Sequence, residues 1–308
     1  MEIANKDNTN ADLTVTASIF DGDFLVSNVT SKVKIGKNNN QVVSMKVPSE
    51  MLQYWTAGKE GTPKQYCMNV CVADAQGGNI VSDKSTMFGY RNIEVQGKDV
   101  LLNGEKIMFR AENIAFVRAL NRWQNVMFDE TWIRNFLRTA VQDYNFNYLR
   151  IHLGHAYSKW YEIADQEGIM LQDEWRYMHD DEPVGKDLEE VGIEFRRWIK
   201  QNVNHPSIVT WDQENEGHVR LEDLKAELRK YDPTRLWEKM TSTLNMCMTI
   251  RNKLYLLLFS NRQRIALRQY WNHAAYGPMS LDCWNHVKII KQAGHQQVGG
   301  EYFITIAI

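Results

Sequence analysis

Asn215 and Glu216 close the stretch Trp211-Asp212-Gln213-Glu214-Asn215-Glu216, which follows the apolar run Ser207-Ile208-Val209-Thr210. That run reads as a buried strand. A carboxylic acid at the exit of such a strand is placed to donate a proton to a leaving oxygen, and the neighbouring carboxamide to hold a substrate hydroxyl. The acid must keep its proton near neutral pH, which burial or a second carboxylate nearby would enforce. Other polar residues stand just after apolar runs in the same way: Asn113, His152 and the pair Asp173-Glu174. One such residue would mean little, but four positions in chain order point to a shared site.

The elements that would position these residues alternate between strand and helix. Residues 108–113, 148–152, 169–175 and 208–211 read as strands. Helical periodicity runs over 129–144, 160–167, 188–202 and 221–231. Asp129 is the expected N-cap of the first helix, Gly168 ends the second, and Asp232-Pro233 stops the last. This alternation predicts a parallel sheet. A (β/α)8 barrel of ~250 residues spends about 31 residues on each unit, and the first and fourth strands lie close to three units apart. Barrel sites gather at the carboxyl ends of the strands, where the polar residues fall.

Residues 1–95 read instead as all-β. Alternating runs cover 13–20, 33–35, 42–47 and 66–72, with Asp21-Gly22-Asp23, Asn38-Asn39-Asn40 and Gln76-Gly77-Gly78-Asn79 as turn signals. Short strands at this spacing predict a small immunoglobulin-like sandwich. Cys67 and Cys71 fall on one face of a strand and are expected as buried free thiols. Four cysteines do not make a disulfide framework.

Composition removes several classes of function. A net charge of −2 gives no basis for binding nucleic acid or an anionic membrane. No apolar stretch approaches the ~20 residues of a membrane span, and the polar opening, Met1 to Asp7, shows no secretory signal. There is no Gly-rich phosphate loop, no His-Glu-x-x-His and no Cys-x-x-Cys, so neither a cofactor nor a metal is expected. His152 and His155 sit on a strand exit and not on one helix face, which gives no metal pair there. The 11% aromatic content suits sugar stacking and an ordinary core equally.

The run from Asn204-His205-Pro206-Ser207 through Asn215-Glu216 resembles the acid/base strand of retaining glycoside hydrolases of family 2, the group of β-galactosidases, β-glucuronidases and β-mannosidases. Phe88-Gly89-Tyr90-Arg91 resembles the segment on which that family's sandwich ends, and Leu102-Asn103-Gly104-Glu105-Lys106 resembles the hairpin that opens its barrel. The resemblance implies a multidomain β plus α/β protein: an immunoglobulin-like β-sandwich over 1–95 and a (β/α)8 TIM-type barrel over 96–308. It also implies a carbohydrate substrate. Glu216 is then the acid/base, and Asn215 donates to the sugar 2-hydroxyl. Val298-Gly299-Gly300-Glu301-Tyr302 resembles the seventh-strand segment, so Glu301 is the expected nucleophile, with Tyr302 hydrogen-bonded to it. Retaining chemistry needs the two carboxyls about 5 to 5.5 Å apart.

Further roles carry over from the same resemblance. His152 is expected to touch substrate, with a buried structural histidine as the other reading; Asn113, at the exit of the first barrel strand, is a further candidate for substrate binding. Arg110 matches a barrel-floor arginine that positions carboxylates. Asp173 and Glu174 match a pair that orients other groups, and an ion pair with Arg150 is equally open. Trp175, like Trp123 and Trp284, reads either as a sugar platform or as core.

Residues 237–297 carry none of the family's landmarks, and the chain ends shortly after Glu301, too soon for an eighth strand and helix. A jelly-roll domain at the amino end is also missing. An incomplete barrel is therefore expected, its open strand edges inviting assembly into a homo-oligomer. Three functions come from these readings. One is a retaining exo-β-glycosidase acting on terminal β-linked sugars through a covalent glycosyl-enzyme. The second is a catalytically inactive sugar-binding fragment or homologue. The third is a structural interaction module built on the sandwich.

Overall fold

The computed structural model describes residues 1–75, 78–114, 126–152, 154–177, 188–213 and 222–238. The first strands are β1 (Glu2–Asn5), β2 (Ala11–Asp21), β3 (Phe24–Ile35), β4 (Asn39–Val42), β5 (Tyr66–Asp74) and β6 (Ile80–Phe88). Four of them form an antiparallel sheet in the order β3-β2-β5-β6, and β1 pairs with β4. Period-2 alternation sends Val15, Ala17 and Ile19 of β2, with Tyr66, Met68 and Val70 of β5, to one face. Met1, Ile3, Val43 and Leu52 close that face from the other side. The strand expected over 42–47 is not formed: β4 ends at Val42, ahead of Pro48, and the residues after it serve as apolar cover. Cys67 and Cys71 are free but only half-buried. They share the polar face of the sheet with Asn69, whereas the apolar core takes the alternate residues.

A meander comes next: β7 (Ile93–Gln96), β8 (Asp99–Leu102) and β9 (Glu105–Ile107). Its second turn is Asn103-Gly104, both at positive φ (55° and 84°), the geometry that lets two residues join twisted antiparallel strands.

The remaining elements alternate: β10 (Ala111–Ile114), α1 (Glu130–Gln142), β11 (Tyr148–Ile151), α2 (Ser158–Glu167), β12 (Met170–Glu174), α3 (Leu188–Asn202), β13 (Ile208–Asp212), α4 (Glu222–Tyr231) and β14 (Leu236–Glu238). The five strands form one parallel sheet in chain order, β10-β11-β12-β13-β14. Asp129 caps α1, its Oδ1 accepting from Trp132 N at 3.0 Å, and Gly168 ends α2 in the left-handed conformation. Ile133 and Leu137 of α1, Ile163 of α2, and Phe195 and Trp198 of α3 pack on the outward side of the sheet against Ile151 and Trp211. Closure into a barrel lies outside the described residues.

The antiparallel sheets and the parallel sheet share a core. Trp55, Ile93 and Leu102 pack against Tyr148, Met170 and Val209, at the amino ends of β11, β12 and β13. Trp55 is fully buried, and its Nε1 donates to Asp165 O on α2 at 2.8 Å. Arg91 reaches across with its guanidinium, donating to Pro206 O (2.9 Å), Thr234 O (2.8 Å) and Ile208 O (2.7 Å). Gly89 lets the two backbones close up: a Cβ there would lie 2.6 Å from Pro206 Cγ and 3.1 Å from Trp55 Cβ. Before β14, buried Asp232 accepts from Trp211 Nε1 (2.7 Å), Thr234 N (3.0 Å) and Arg235 Nη1 (3.0 Å). Burial pushes its carboxyl pKa up, but the Arg235 charge and the bonds from Thr234 and Trp211 outweigh that and hold it below the usual range.

Gly89→Ala is expected to destabilise the protein by about 1 to 3 kcal/mol, the cost of overpacking, read from urea unfolding. Asp232→Asn leaves Arg235 buried without its counter-charge and should cost about 3 kcal/mol at neutral pH. A carboxylate with a depressed folded-state pKa stabilises above its unfolded value and loses that contribution as pH falls through the folded one. Thermal melts should therefore show wild type and variant converging as the pH drops below 3.8.

Candidate active site

Alternation along three parallel strands builds a polar interior. Tyr148 and Arg150 on β11, Gln172 and Glu174 on β12, and Thr210 and Asp212 on β13 meet on the side of the sheet away from the helices. The register explains how β13 joins in. Leu171 stands opposite Ile208, but Gln172 stands opposite Thr210, so Val209 is an extra residue. Such a bulge re-aims the residues after it, here lining Thr210 and Asp212 up with Gln172 and Glu174.

Two layers result. Nearer the amino ends, the Tyr148 hydroxyl lies 3.1 Å from Gln172 Oε1 and 3.0 Å from Thr210 Oγ1. Gln172 Nε2 donates to Asp212 Oδ2 at 2.7 Å and links this layer to the next. Nearer the carboxyl ends, Arg150 Nε donates to Glu174 Oε2 at 2.6 Å, and Nη2 pairs with the same oxygen. Arg150 Nη2 also lies 3.7 Å from Asp212 Oδ2. His152 Nδ1 stands 3.2 Å from Glu174 Oε1. Glu174 and Asp212 are fully buried, which Arg150 makes tolerable by neutralising charge and filling lone pairs.

Of the residues expected at the site, His152, Glu174 and Asn113 come together on the interior face. Asn113 sits in register with Arg150, and its buried Oδ1 has no hydrogen-bond partner among the described residues. Glu174 forms the ion pair with Arg150 that the sequence left open. Asp173 does not join them. One residue earlier on β12 it points to the helices, where it accepts from Tyr161 (2.9 Å) and Trp198 (2.8 Å). Trp175 also departs from the sugar-platform reading: its ring is packed among Phe195, Trp198, Tyr177 and His155. Arg110 is a correction as well. It precedes β10, is exposed, and donates to Asn145 O (2.6 Å) and Asn145 Oδ1 (3.1 Å), away from the carboxylates. Asn145 sits at positive φ, 57°, a conformation asparagine adopts more readily than most residues.

Asn215, Glu216, Glu301 and Tyr302 lie outside the described residues, as do Trp123 and Trp284. Tyr148, Gln172, Thr210 and Asp212 were not singled out from the sequence. The signal was present as polar residues two apart inside apolar strands: Tyr148-x-Arg150-x-His152, Gln172-x-Glu174 and Thr210-x-Asp212.

Residues 1–91 match the model of Glycosyl hydrolases family 2. A β-galactosidase of Alteromonas mediterranea is 27% identical over 239 residues, covering 72% of this chain and 22% of that protein. A β-galactosidase of Leuconostoc mesenteroides is 26% identical over 244 residues, covering 74% of this chain and 22% of the relative. A putative β-glucuronidase of Formosa agariphila is 26% identical over 187 residues, covering 57% and 17%. The chain thus spans about a fifth of the length of the curated relatives it matches. Among solved structures, a Bacteroides uniformis β-glucuronidase shares the fold with a TM-score of 0.61 at 19% identity, over 77% of this chain and 30% of its own. A GH2 β-galacturonidase of Eisenbergiella tayi bound to galacturonate does so with a TM-score of 0.60 at 19% identity, over 77% and 42%. The chain is thus similar to glycosyl hydrolases family 2, through the family model over residues 1–91 and through relatives at 26–27% identity.

Proposed function

We propose that this chain carries the sugar-cleaving site of a retaining exo-β-glycosidase, built on a (β/α)8 barrel that comes after an immunoglobulin-like sandwich, with the division near residue 95. The observation that supports it most is the Arg150–Glu174–His152–Asp212 cluster, with both carboxylates buried, at the carboxyl ends of consecutive parallel strands. Asp212 belongs to it, and Asn215 and Glu216 come within the next four residues. In this reading Glu216 protonates the glycosidic oxygen while Glu301 attacks the anomeric carbon and Tyr302 holds its carboxylate. Water then breaks the glycosyl-enzyme, with Glu216 returning as base. Asn215 holds the 2-hydroxyl. His152 and Asn113 line the sugar side, the first fixed by Glu174 and the second offering an acceptor that no described residue engages. The names of the relatives support a β-linked galactosyl or uronosyl substrate.

Hydrolysis of a panel of aryl β-glycosides by the purified chain tests the reading. Turnover of one sugar is expected, with Glu216→Ala lowering it by roughly 10²- to 10⁴-fold, the usual contribution of a general acid. Saccharide binding without any turnover would replace the enzyme with a sugar-binding protein. Arg150→Met removes the cation between two buried carboxylates and should destabilise the chain by about 3 kcal/mol in denaturant. Adding Glu174→Gln should return part of that loss, because the uncompensated charge goes with it.

A further inference from the structure

Asp173 and Glu174 are neighbours on β12 and point to opposite sides of the sheet, yet both act on the loop that leaves β11. Glu174 meets it from inside, through His152 Nδ1 at 3.2 Å. Asp173 meets it from the helix side by two routes. Its Oδ1 accepts from the Tyr161 hydroxyl at 2.9 Å, and the same hydroxyl oxygen accepts from Ala156 N at 3.1 Å. His155 Nδ1 lies 3.9 Å from that Oδ1, with the imidazole against the rings of Trp175 (4.7 Å) and Trp198 (5.3 Å). Trp198 Nε1 donates to the other carboxylate oxygen at 2.8 Å. Asp173 is fully buried and Tyr161 is 2% exposed, so water does not compete for the bond between them. Burial and the Asp173 charge push the Tyr161 phenol pKa well up, which keeps its proton for the carboxylate and its oxygen for the amide.

The geometry points to Asp173 as a positioning residue: through the Tyr161 hydroxyl it anchors the Ala156 amide ahead of α2 and thereby helps to set the His152 imidazole against Glu174. Asp173 touches no sugar in this arrangement. The inference rests on the reading that His152 serves the glycosidase site.

Tyr161→Phe keeps the ring in the core and removes only the relay. In the full chain it should shift the His152 imidazole resonances in ¹H–¹⁵N spectra, assigned by their loss in His152→Ala. It should also lower kcat/KM on the aryl β-glycoside that the wild type cleaves by about tenfold, within what a slightly misplaced group costs. In a His152→Ala background the same change should cost nothing further, since coupled residues fail to add. Unmoved His152 resonances in Tyr161→Phe would overturn the proposal, as would a kinetic loss that adds in full to that of His152→Ala. If the wild type cleaves no glycoside, the glycosidase reading fails on its own, and the resonances still decide whether Asp173 positions His152.

Discussion

A guanidinium placed between two packed units must find oxygen atoms for its protons, and Arg91 finds three backbone carbonyls. They belong to Pro206 just before β13, to Ile208 at its start, and to Thr234 just before β14. Burial and the nearby Arg235 bring Arg91 down to about 9, with Asp232 and Asp165 pulling the other way, so it stays charged at neutral pH. One side chain from the exit of the antiparallel sheet therefore sets where two parallel strands begin. A strand's starting height decides where it ends. Asp212 stands beside Arg150 because Ile208 is held where it is and because the bulge at Val209 corrects the register.

The second constraint is the two-residue period of a strand, which sorts adjacent acidic residues into unlike environments. Glu174 enters a polar interior with a cation beside it, and Asp173 enters an aromatic layer between sheet and helices. Both are buried carboxylates, and each is answered differently. An ion pair and an imidazole answer the first, while an indole and a phenol answer the second. Neutral donors suit the outward side because a cation there would have to be desolvated among Trp175, Phe195 and Trp198.

Much of this was legible in the residues. The helices over 129–144, 188–202 and 221–231 appeared within a residue or two of their expected ends, because amphipathic spacing, an Asp cap and an Asp-Pro stop agreed with one another. The Asn103-Gly104 hairpin was equally plain, since few other residues accept two left-handed positions in a row. What stayed hidden depended on partners distant in sequence. Nothing local reveals that Trp55 will be buried against Asp165, or that Trp175 will be consumed by α3 and not face a sugar. Arg110 misled because its place in the chain suggested the sheet interior, whereas strand β10 begins one residue later and leaves it outside. The interior residues Gln172 and Asp212 stood inside runs of apolar neighbours, whereas the sequence pointed to the polar residues at the strand exits.

The shared core has a consequence for how such proteins are cut and joined. Along the chain, the antiparallel strands end at Ile107 and the parallel α/β sheet begins at Ala111, with residues 108–110 as the linker. In space, Trp55, Gly89 and Arg91 belong as much to the second half as to the first, since their partners are Asp165, Pro206, Ile208 and Thr234. A chimera spliced at the linker would carry a tryptophan without its pocket and a buried cation without its carbonyls. Recombination between relatives should therefore succeed only where both sides of this seam come from the same parent.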